Sequence, residues 1–244
     1  MKILVCISCV PDTTSRINFI DNNTKFDTNG VQFIIGPYDD MALARAVEIK
    51  EANAGTTVTV LNVGLVETEP IIRKALAIGA DDAIRVNAEP TDSFFVASQI
   101  AEHAKGFDLI LMGRESIDFN SGVVHAMVGE MLGIASFSPI MKLDITGTTA
   151  KMAREIEGGK ELLEASLPLV LGCQEPIAEW KIPVMRGIMS ARTKPLKVVD
   201  AKSVTPEVKL KKYELPAPKG TVKMIPADNV AELVKLLKTE AKVL

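Results

Sequence analysis

The chain has 244 residues, of which 47% are hydrophobic and 24% charged, with a net charge of −3. This composition excludes a disordered, collagen-like or membrane-spanning chain, and the length allows one large domain or two small ones. The charge is divided unequally: residues 1–180 carry 14 Lys and Arg against 25 Asp and Glu, whereas residues 181–244 carry 14 against 6. The last quarter therefore presents a different surface from the rest.

Five short segments rich in Val, Ile and Leu predict strands, at residues 3–7, 58–63, 83–86, 109–112 and 169–173. Their continuous apolar runs are typical of strands buried on both faces. Helical patterns lie between them, at residues 41–52, 69–78 and 94–104, with Gly55 and Gly79 placed as stops after the first two. Alternating strands and helices predict a Rossmann-like α/β fold with a parallel sheet and right-handed crossovers.

Two regions interrupt this alternation. Residues 18–35 contain Asn-Asn and Asn-Gly pairs, which predict a hairpin-like excursion between the first strand and the first helix. Residues 142–163 are polar and β-prone and are broken by Thr-Gly and Gly-Gly pairs. They predict antiparallel hairpins at one edge of the sheet.

The pattern changes again after Glu175. Seven prolines, from Pro176 to Pro226, and many lysines occur without helical periodicity, which predicts an extended arm. A closing helix is expected at residues 228–242, with Asp228 as its N-cap and an apolar stripe that needs a partner. We therefore divide the chain into an α/β domain, residues 1–178, and a loop with a carboxyl-terminal arm, residues 179–244.

The segment after the predicted strand at 109–112 has features of a phosphate-binding turn. Gly113 and Gly122 would let the backbone approach a ligand, and Arg114 would supply charge. Asn120 or Ser121 would donate hydrogen bonds at the start of a helix near Ser121, where backbone amides favour an anion. A plain strand-to-helix turn explains these residues equally well, since the chain has no G-x-G-x-x-G or Walker sequence.

A second candidate segment, Gly36 to Asp40, precedes the first long helix. Pro and Asp at a helix start satisfy capping and the helix dipole without any ligand. The functional alternative is that backbone groups of this segment face a ligand at the carboxyl edge of the sheet.

The cysteines and histidines give no catalytic or metal-binding pattern. Cys6 and Cys9 have C-x-x-C spacing, but no second pair or nearby histidine completes a zinc site, so Cys6 is interpreted as core or pocket wall and Cys9 as incidental. His103 and His125 have no Ser or Cys nucleophile at a recognisable spacing. Three sparse cysteines and an amino terminus without signal-peptide features indicate a reducing cytoplasm.

The stretch from Trp180 to Arg192 mixes the single Trp with Met and Arg residues, which are enriched at protein interfaces. Packing against the chain's own sheet is the alternative. Nucleic acid binding is disfavoured, because the lysines of the arm are dispersed and lack interleaved aromatic residues.

Taken together, several ordered blocks resemble the electron transfer flavoprotein β subunit family over essentially the whole chain. The blocks are residues 2–7 with 10–13, 36–37, 72–81, 108–114 with 116–118, 154–159 followed by 167–170, and 186–191. The most specific of them is Arg-Glu-Ile-Glu-Gly-Gly at 154–159, followed by Leu-Pro.

The resemblance implies a sheet of the adenine nucleotide hydrolase type, an α subunit that holds the redox FAD, and an adenine nucleotide in this subunit. In most members that nucleotide is a structural AMP, and in electron-bifurcating members it is a second FAD. Carried over by position, the cofactor residues are Cys6, Gly36, Pro37, Tyr38, Asp39, Val63, Met112, Gly113, Arg114, Ser116, Asp118, Asn120, Ser121, Gly122 and Val123. Phe119, Val123 and His125 depart from the family pattern, and AMP is the preferred assignment.

The resemblance also implies a loop, here residues 179–189, that docks an acyl-CoA dehydrogenase of fatty acid oxidation or another redox dehydrogenase. Ile182 or Met185 would be its apolar anchor, flanked by Trp180 and Arg186. On this interpretation the chain is an electron carrier subunit rather than a catalyst, and its arm contacts the α subunit. Outside the family, the fold would suit a nucleotide-binding stress-type regulator or an adenylate-forming hydrolase.

Overall fold

The computed structural model describes residues 1–218 and 220–244. Its helices are Pro37–Ala52 (α1), Glu69–Ile78 (α2), Ser93–His103 (α3), Val124–Leu132 (α4), Met185–Ala191 (α5) and Val230–Thr239 (α6). Its strands are Lys2–Cys6 (β1), Cys9–Pro11 (β2), Phe19–Ile20 (β3), Lys25–Phe26 (β4), Phe33–Ile35 (β5), Thr57–Val63 (β6), Asp82–Asn87 (β7), Leu109–Gly113 (β8), Ser136–Thr146 (β9), Thr149–Ile156 (β10), Gly159–Ser166 (β11), Leu169–Cys173 (β12) and Leu196–Asp200 (β13). None of the described helices is long and apolar enough to cross a membrane.

A nine-stranded sheet runs in the order β11-β10-β9-β12-β8-β1-β6-β7-β13. Every pair from β9 to β13 in this order is parallel, and β10 pairs antiparallel with both β9 and β11. The predicted Rossmann-like sheet with hairpins at one edge is therefore confirmed. The excursion between β1 and α1 forms two small ladders, β2 with β5 and β3 with β4.

The central strands are buried on both faces, which explains their continuous apolar runs. Successive residues of β1 alternate between two cores. Ile3 and Val5 pack with residues of α1 and α2 on one face, whereas Leu4 and Cys6 pack with residues of α3 and α4 on the other. The carboxyl ends of β1, β6 and β8 consequently meet at one edge of the sheet between helix pairs.

Three predicted helix starts differ from the structure. The first helix, expected from residue 41, begins at Pro37 and includes Asp39 and Asp40 in its first turn. The helix expected near Ser121 begins at Val124, because Asn120 and Gly122 have left-handed backbone with φ of 52° and 62°. The last helix begins at Val230, and its cap is Asn229, whose side chain accepts a hydrogen bond from the Glu232 N–H.

The stretch predicted to be an extended arm contains α5 and β13. A Cβ added at Gly187 would overlap the backbone oxygen of Ala77, so α5 lies directly on α2. Arg73 Nη1 donates to the carbonyls of Ala191 (2.8 Å) and Lys194 (2.7 Å), and β13 extends the parallel sheet beside β7. The carboxyl-terminal quarter thus contributes regular structure that its proline content does not reveal.

The chain divides into two compact units. The first, residues 1–18 with 27–210, is called the body, and the second, residues 19–26 with 211–244, is called the terminal unit. Within the terminal unit the rings of Phe19 and Tyr213 stack with centroids 4.5 Å apart, and the Tyr213 N–H donates to the Asn23 carbonyl at 2.7 Å. The functional division after residue 178 stays a prediction.

Candidate functional site

A cavity of about 570 Å³ lies at the carboxyl ends of β1, β6 and β8, a volume typical of small-molecule sites. Eleven of the fifteen predicted cofactor residues line it: Cys6, Asp39, Val63, Met112, Gly113, Arg114, Ser116, Asp118, Ser121, Gly122 and Val123. The other four, Gly36, Pro37, Tyr38 and Asn120, lie in the segments beside it. The structure thus brings the predicted segments together, while the role of these residues in binding a cofactor stays a prediction.

Asp39 joins the segments that form the floor of the cavity. Its carboxylate accepts hydrogen bonds from the Ser8 N–H (2.8 Å), the Ser8 hydroxyl and the Gly113 N–H (2.6 Å). The residue is 5% exposed. Burial raises the pKa of Asp39 to about 6, although these hydrogen bonds act to lower it. One buried carboxyl therefore connects the end of β1, the first turn of α1 and the end of β8.

Two glycines make this close arrangement possible. A Cβ at Gly36 would lie 2.5 Å from both the Asp39 carboxylate and the Ser8 hydroxyl. A Cβ at Gly113 would lie 2.7 Å from the Asp39 carboxylate and from the Tyr38 Cβ. Both positions therefore require glycine because a larger side chain has no space there.

The first turns of α1, α3 and α4 reach the cavity. The first turn of α1 carries Asp39 and Asp40, which disfavour an anion, and α3 and α4 differ in how their first turns are capped. The Asp92 side chain caps α3 by accepting a hydrogen bond from the Phe95 N–H at 2.7 Å. In the described part of the chain no side chain caps α4, whose N-cap is Val123, and both Val123 and Val124 line the cavity. Uncapped first-turn amides and the helix dipole favour an anion. The start of α4 is therefore the position that best suits a phosphate.

Arg114 is the one basic side chain among the described residues that line the cavity, and its charge is already paired. Its guanidinium donates to Glu115 Oε1 at 2.8 Å and to Gln174 Oε1 at 3.1 Å, and it lies 4.9 Å from the centre of the Tyr38 ring. An anion in the cavity would therefore depend mainly on backbone amides for its hydrogen bonds.

The thiols at the cavity are protonated at neutral pH. Burial, followed by the charge of Asp39, raises the pKa of Cys6 far above its ordinary value. Burial and the charge of Asp118 raise the pKa of Cys9 to about 11. These thiols are poor nucleophiles and poor metal ligands, because the thiolate is the reactive form.

Sequence reasoning missed the wall that residues 89–93 and the first turns of α3 contribute. Ser93 Oγ donates to Ser121 Oγ at 2.9 Å, which ties this wall to the loop before α4. The available signal was Asp92 followed by Ser-Phe-Phe, an N-cap pattern just after a predicted strand, at the same sheet edge as Gly113.

The predicted docking residues lie on the surface. Trp180, Ile182 and Met185 are 64%, 86% and 72% exposed, and Arg186 is also exposed. Ile182 and Trp180 lie in the irregular segment before α5, and Met185 begins that helix. Their exposure is compatible with an interface, and their partner stays a prediction.

Comparison with known proteins gives a consistent result. The model of the electron transfer flavoprotein domain matches residues 23–204. The electron transfer flavoprotein subunit beta of Bacillus subtilis (strain 168) is 35% identical, and the alignment covers all of both chains. The corresponding subunit of Syntrophomonas wolfei is 33% identical over all of this chain and 98% of its own, and the mitochondrial one of Arabidopsis thaliana is 30% identical over all of both.

Proposed function

The chain belongs to the electron transfer flavoprotein family, and we propose that it is the β subunit of a heterodimer that carries electrons from dehydrogenases to an acceptor. In this proposal the FAD is bound mainly by an α subunit, and the cavity of this chain binds a structural AMP. The bound FAD supplies the redox chemistry, while the protein binds and orients it.

The uncapped start of α4 at the cavity is the observation that best supports the AMP proposal. The AMP phosphate would accept hydrogen bonds from the amides near Ser121, Gly122 and Val123. Apolar side chains of the same cavity, including Val63 and Met112, would pack against the base. Gly113, which has no space for a side chain, would let Asp39 and Tyr38 pack against the end of β8 beside the nucleotide.

A second FAD in place of AMP is the alternative within the family. The cavity extends past the predicted nucleotide residues to Thr28, Phe33 and Leu65, which gives additional surface for a larger ligand. In that case the chain would be the β subunit of an electron-bifurcating protein.

Nucleotide analysis of the purified heterodimer separates these proposals. The chain would be co-expressed with the α subunit encoded in the same genome, and the complex would be denatured so that released nucleotides can be quantified. One FAD and one AMP per heterodimer would support the shuttle, and two FAD would support bifurcation. A heterodimer with one FAD and no second nucleotide would contradict a nucleotide role for the cavity.

We also propose that the exposed residues around α5 dock an acyl-CoA dehydrogenase or another redox dehydrogenase. The contact of Gly187 with Ala77 and the hydrogen bonds from Arg73 hold α5 in place, so its apolar side chains are presented on a fixed helix. A preorganised apolar anchor loses little conformational entropy when it binds.

Ile182→Glu and Met185→Glu test the docking proposal. At least one of them should slow electron transfer from the dehydrogenase about tenfold or more, because a charge would be buried in an apolar contact. The matched control is Leu162→Glu, which places the same charge at a site on β11 that is 82% exposed. Equal rates in all three variants would contradict the assignment of this surface.

Because the chain belongs to the electron transfer flavoprotein family, a nucleotide-binding stress-type regulator outside that family is no longer an alternative. The three cysteines are free thiols, and on this basis we propose that the protein works in a reducing cytoplasm.

A further inference from the structure

Residues 202–208, here called the strap, run along α3 and are held there by its side chains. Gln99 is fully buried, and its Nε2 donates to the Lys202 carbonyl at 3.0 Å while its Oε1 accepts from the Lys202 N–H at 2.8 Å. Lys202 Nζ also lies 3.2 Å from Glu102 Oε2. A buried amide that satisfies both backbone groups of one strap residue fixes the strap in register on the helix.

The second attachment of the strap is Asp92, which also belongs to the wall of the cavity. One carboxylate oxygen, Oδ1, caps α3 through the Phe95 N–H, and the other, Oδ2, accepts from the N–H groups of Glu207 (2.7 Å) and Val208 (2.8 Å). Asp92 is 5% exposed. A single carboxylate therefore holds the first turn of α3 and the end of the strap at the same time.

Neighbouring residues of the same helix face the cavity. Ser93, Val96 and Ile100 of α3 line the cavity, and Ser93 Oγ donates to Ser121 Oγ beside the start of α4. Movement of α3 would consequently displace both the cavity wall and the loop that leads into the uncapped helix. The strap and the cavity wall thus share one structural element, α3, together with its cap Asp92.

We propose that docking of the strap and binding of a ligand in the cavity are energetically coupled through α3, with Asp92 and Gln99 as positioning residues. This inference rests on the proposed nucleotide function of the cavity. A ligand that fixes α3 also orders the side chains of α3 that contact the strap. In the other direction, a docked strap reduces the conformational entropy that is lost when a ligand orders the cavity wall. By linkage, docking of the strap raises the affinity of the cavity for its ligand by the same factor by which the ligand raises the equilibrium constant for docking of the strap.

Two variants release the strap in different ways. Asp92→Asn leaves one acceptor oxygen in place of two, so the cap of α3 and the hydrogen bonds from the N–H groups of Glu207 and Val208 cannot both be kept. Gln99→Met removes both bonds to Lys202 without changing the charge of the cavity. Each variant should lower the affinity of the full-length chain for AMP about fivefold, as measured by calorimetry.

The direction of the Asp92→Asn effect distinguishes coupling from simple electrostatics. Removing a carboxylate from the cavity wall would by charge alone raise the affinity for an anionic nucleotide. Glu89→Gln, which removes another carboxylate of the lining, is the control for this effect and should raise AMP affinity. Glu207→Gln keeps the backbone donor of the strap, so it should leave AMP affinity unchanged.

Hydrogen exchange provides the reciprocal measurement. In the wild-type chain, saturating AMP should slow exchange at the amides of Lys202, Glu207 and Val208, and this protection should be lost in Gln99→Met. If hydrogen exchange shows that the strap is released in both variants while the affinity for AMP is unchanged or increased, the coupling is overturned. The proposed nucleotide function of the cavity would be unaffected by that result. A wild-type chain that binds neither AMP nor FAD would contradict the proposed function, and the coupling with it.

Discussion

The body and the terminal unit use similar apolar residues in opposite ways. All five residues of β8 in the body are buried, whereas no residue of α6 in the terminal unit is buried, although α6 carries Val230, Leu233 and Val234. An apolar pattern can predict a helix or a strand, but its apolar side chains are buried only where a neighbouring surface covers them. The body supplies that surface itself, whereas Val230, Leu233 and Val234 of the terminal unit remain exposed.

The exposure of the apolar residues around α5 is intermediate between that of β8 and that of α6. Ala191, at the end of α5, is 3% exposed and packs into the main core, yet Met185 and Met189 on the same short helix are 72% and 65% exposed. One face of α5 therefore stabilises the body, while the face with Met185 and Met189 remains exposed to solvent. We therefore expect changes in the body to affect stability, and changes on the open surfaces to affect the binding of partners.

The largest expected effect separates the two regions by stability. Leu111→Ala removes a fully buried side chain and should lower the free energy of unfolding by about 3 kcal/mol, whereas Leu233→Ala, at a site 42% exposed, should lower it by less than about 0.5 kcal/mol. Urea denaturation of the full-length variants measures both. Equal losses would show that α6 is packed as firmly as the core and would remove the difference between the two regions.

Gly113→Ala tests the close packing at the floor of the cavity. The added Cβ would displace the Asp39 carboxylate or the Tyr38 side chain, which should cost about 2 kcal/mol of stability and weaken nucleotide binding. Gly159→Ala is the matched control, because a Cβ there would meet nothing within 4 Å. Wild-type stability and binding in Gly113→Ala would mean that the floor adapts and that glycine is not required.

The pH dependence of stability also distinguishes the body, because the body contains a buried carboxyl. The pKa of Asp39 is raised to about 6 in the folded state from 3.8, so its protonated form is favoured by folding. Its contribution is present below pH 3.8 and is lost as the pH rises through about 6, with a slope of at most about 1.4 kcal/mol per pH unit. Subtracting the pH profile of Asp39→Asn from that of the wild type isolates this slope, and parallel profiles would contradict it.

The smallest effect is expected at an ion pair in the terminal unit. Lys223 and Glu240 lie 2.9 Å apart, but both side chains are more than 60% exposed, so solvent screens their attraction. Lys223→Met should therefore leave the urea midpoint unchanged within error. A clear drop in the midpoint would indicate that the terminal unit depends on its own contacts more than its burial suggests.

The central sheet was predictable because its strands are continuous apolar runs separated by helical periodicity. The loop after β8 was predictable because Gly113 comes at the end of an apolar run, and Ser121 and Gly122 come shortly before the next helix. By contrast, α5 was missed because its formation depends on the contact between Gly187 and the backbone of Ala77, which local sequence does not encode.

The remaining differences have similar physical causes. Asp228 and Asn229 are adjacent and are both good capping residues, so sequence alone does not decide between them. The Asp92 carboxylate accepts hydrogen bonds from Glu207 and Val208, residues more than a hundred positions away along the chain. Long-range hydrogen bonds of this kind follow from the fold rather than from any local pattern.

Association with an α subunit is the decisive measurement for the proposed function. The chain would be co-expressed with the α subunit of the same genome and passed over a size-exclusion column while protein and flavin absorbance are recorded. We expect a 1:1 heterodimer that elutes with flavin absorbance. Separate elution of this chain, without flavin and without any α subunit, would contradict its assignment as half of an electron carrier.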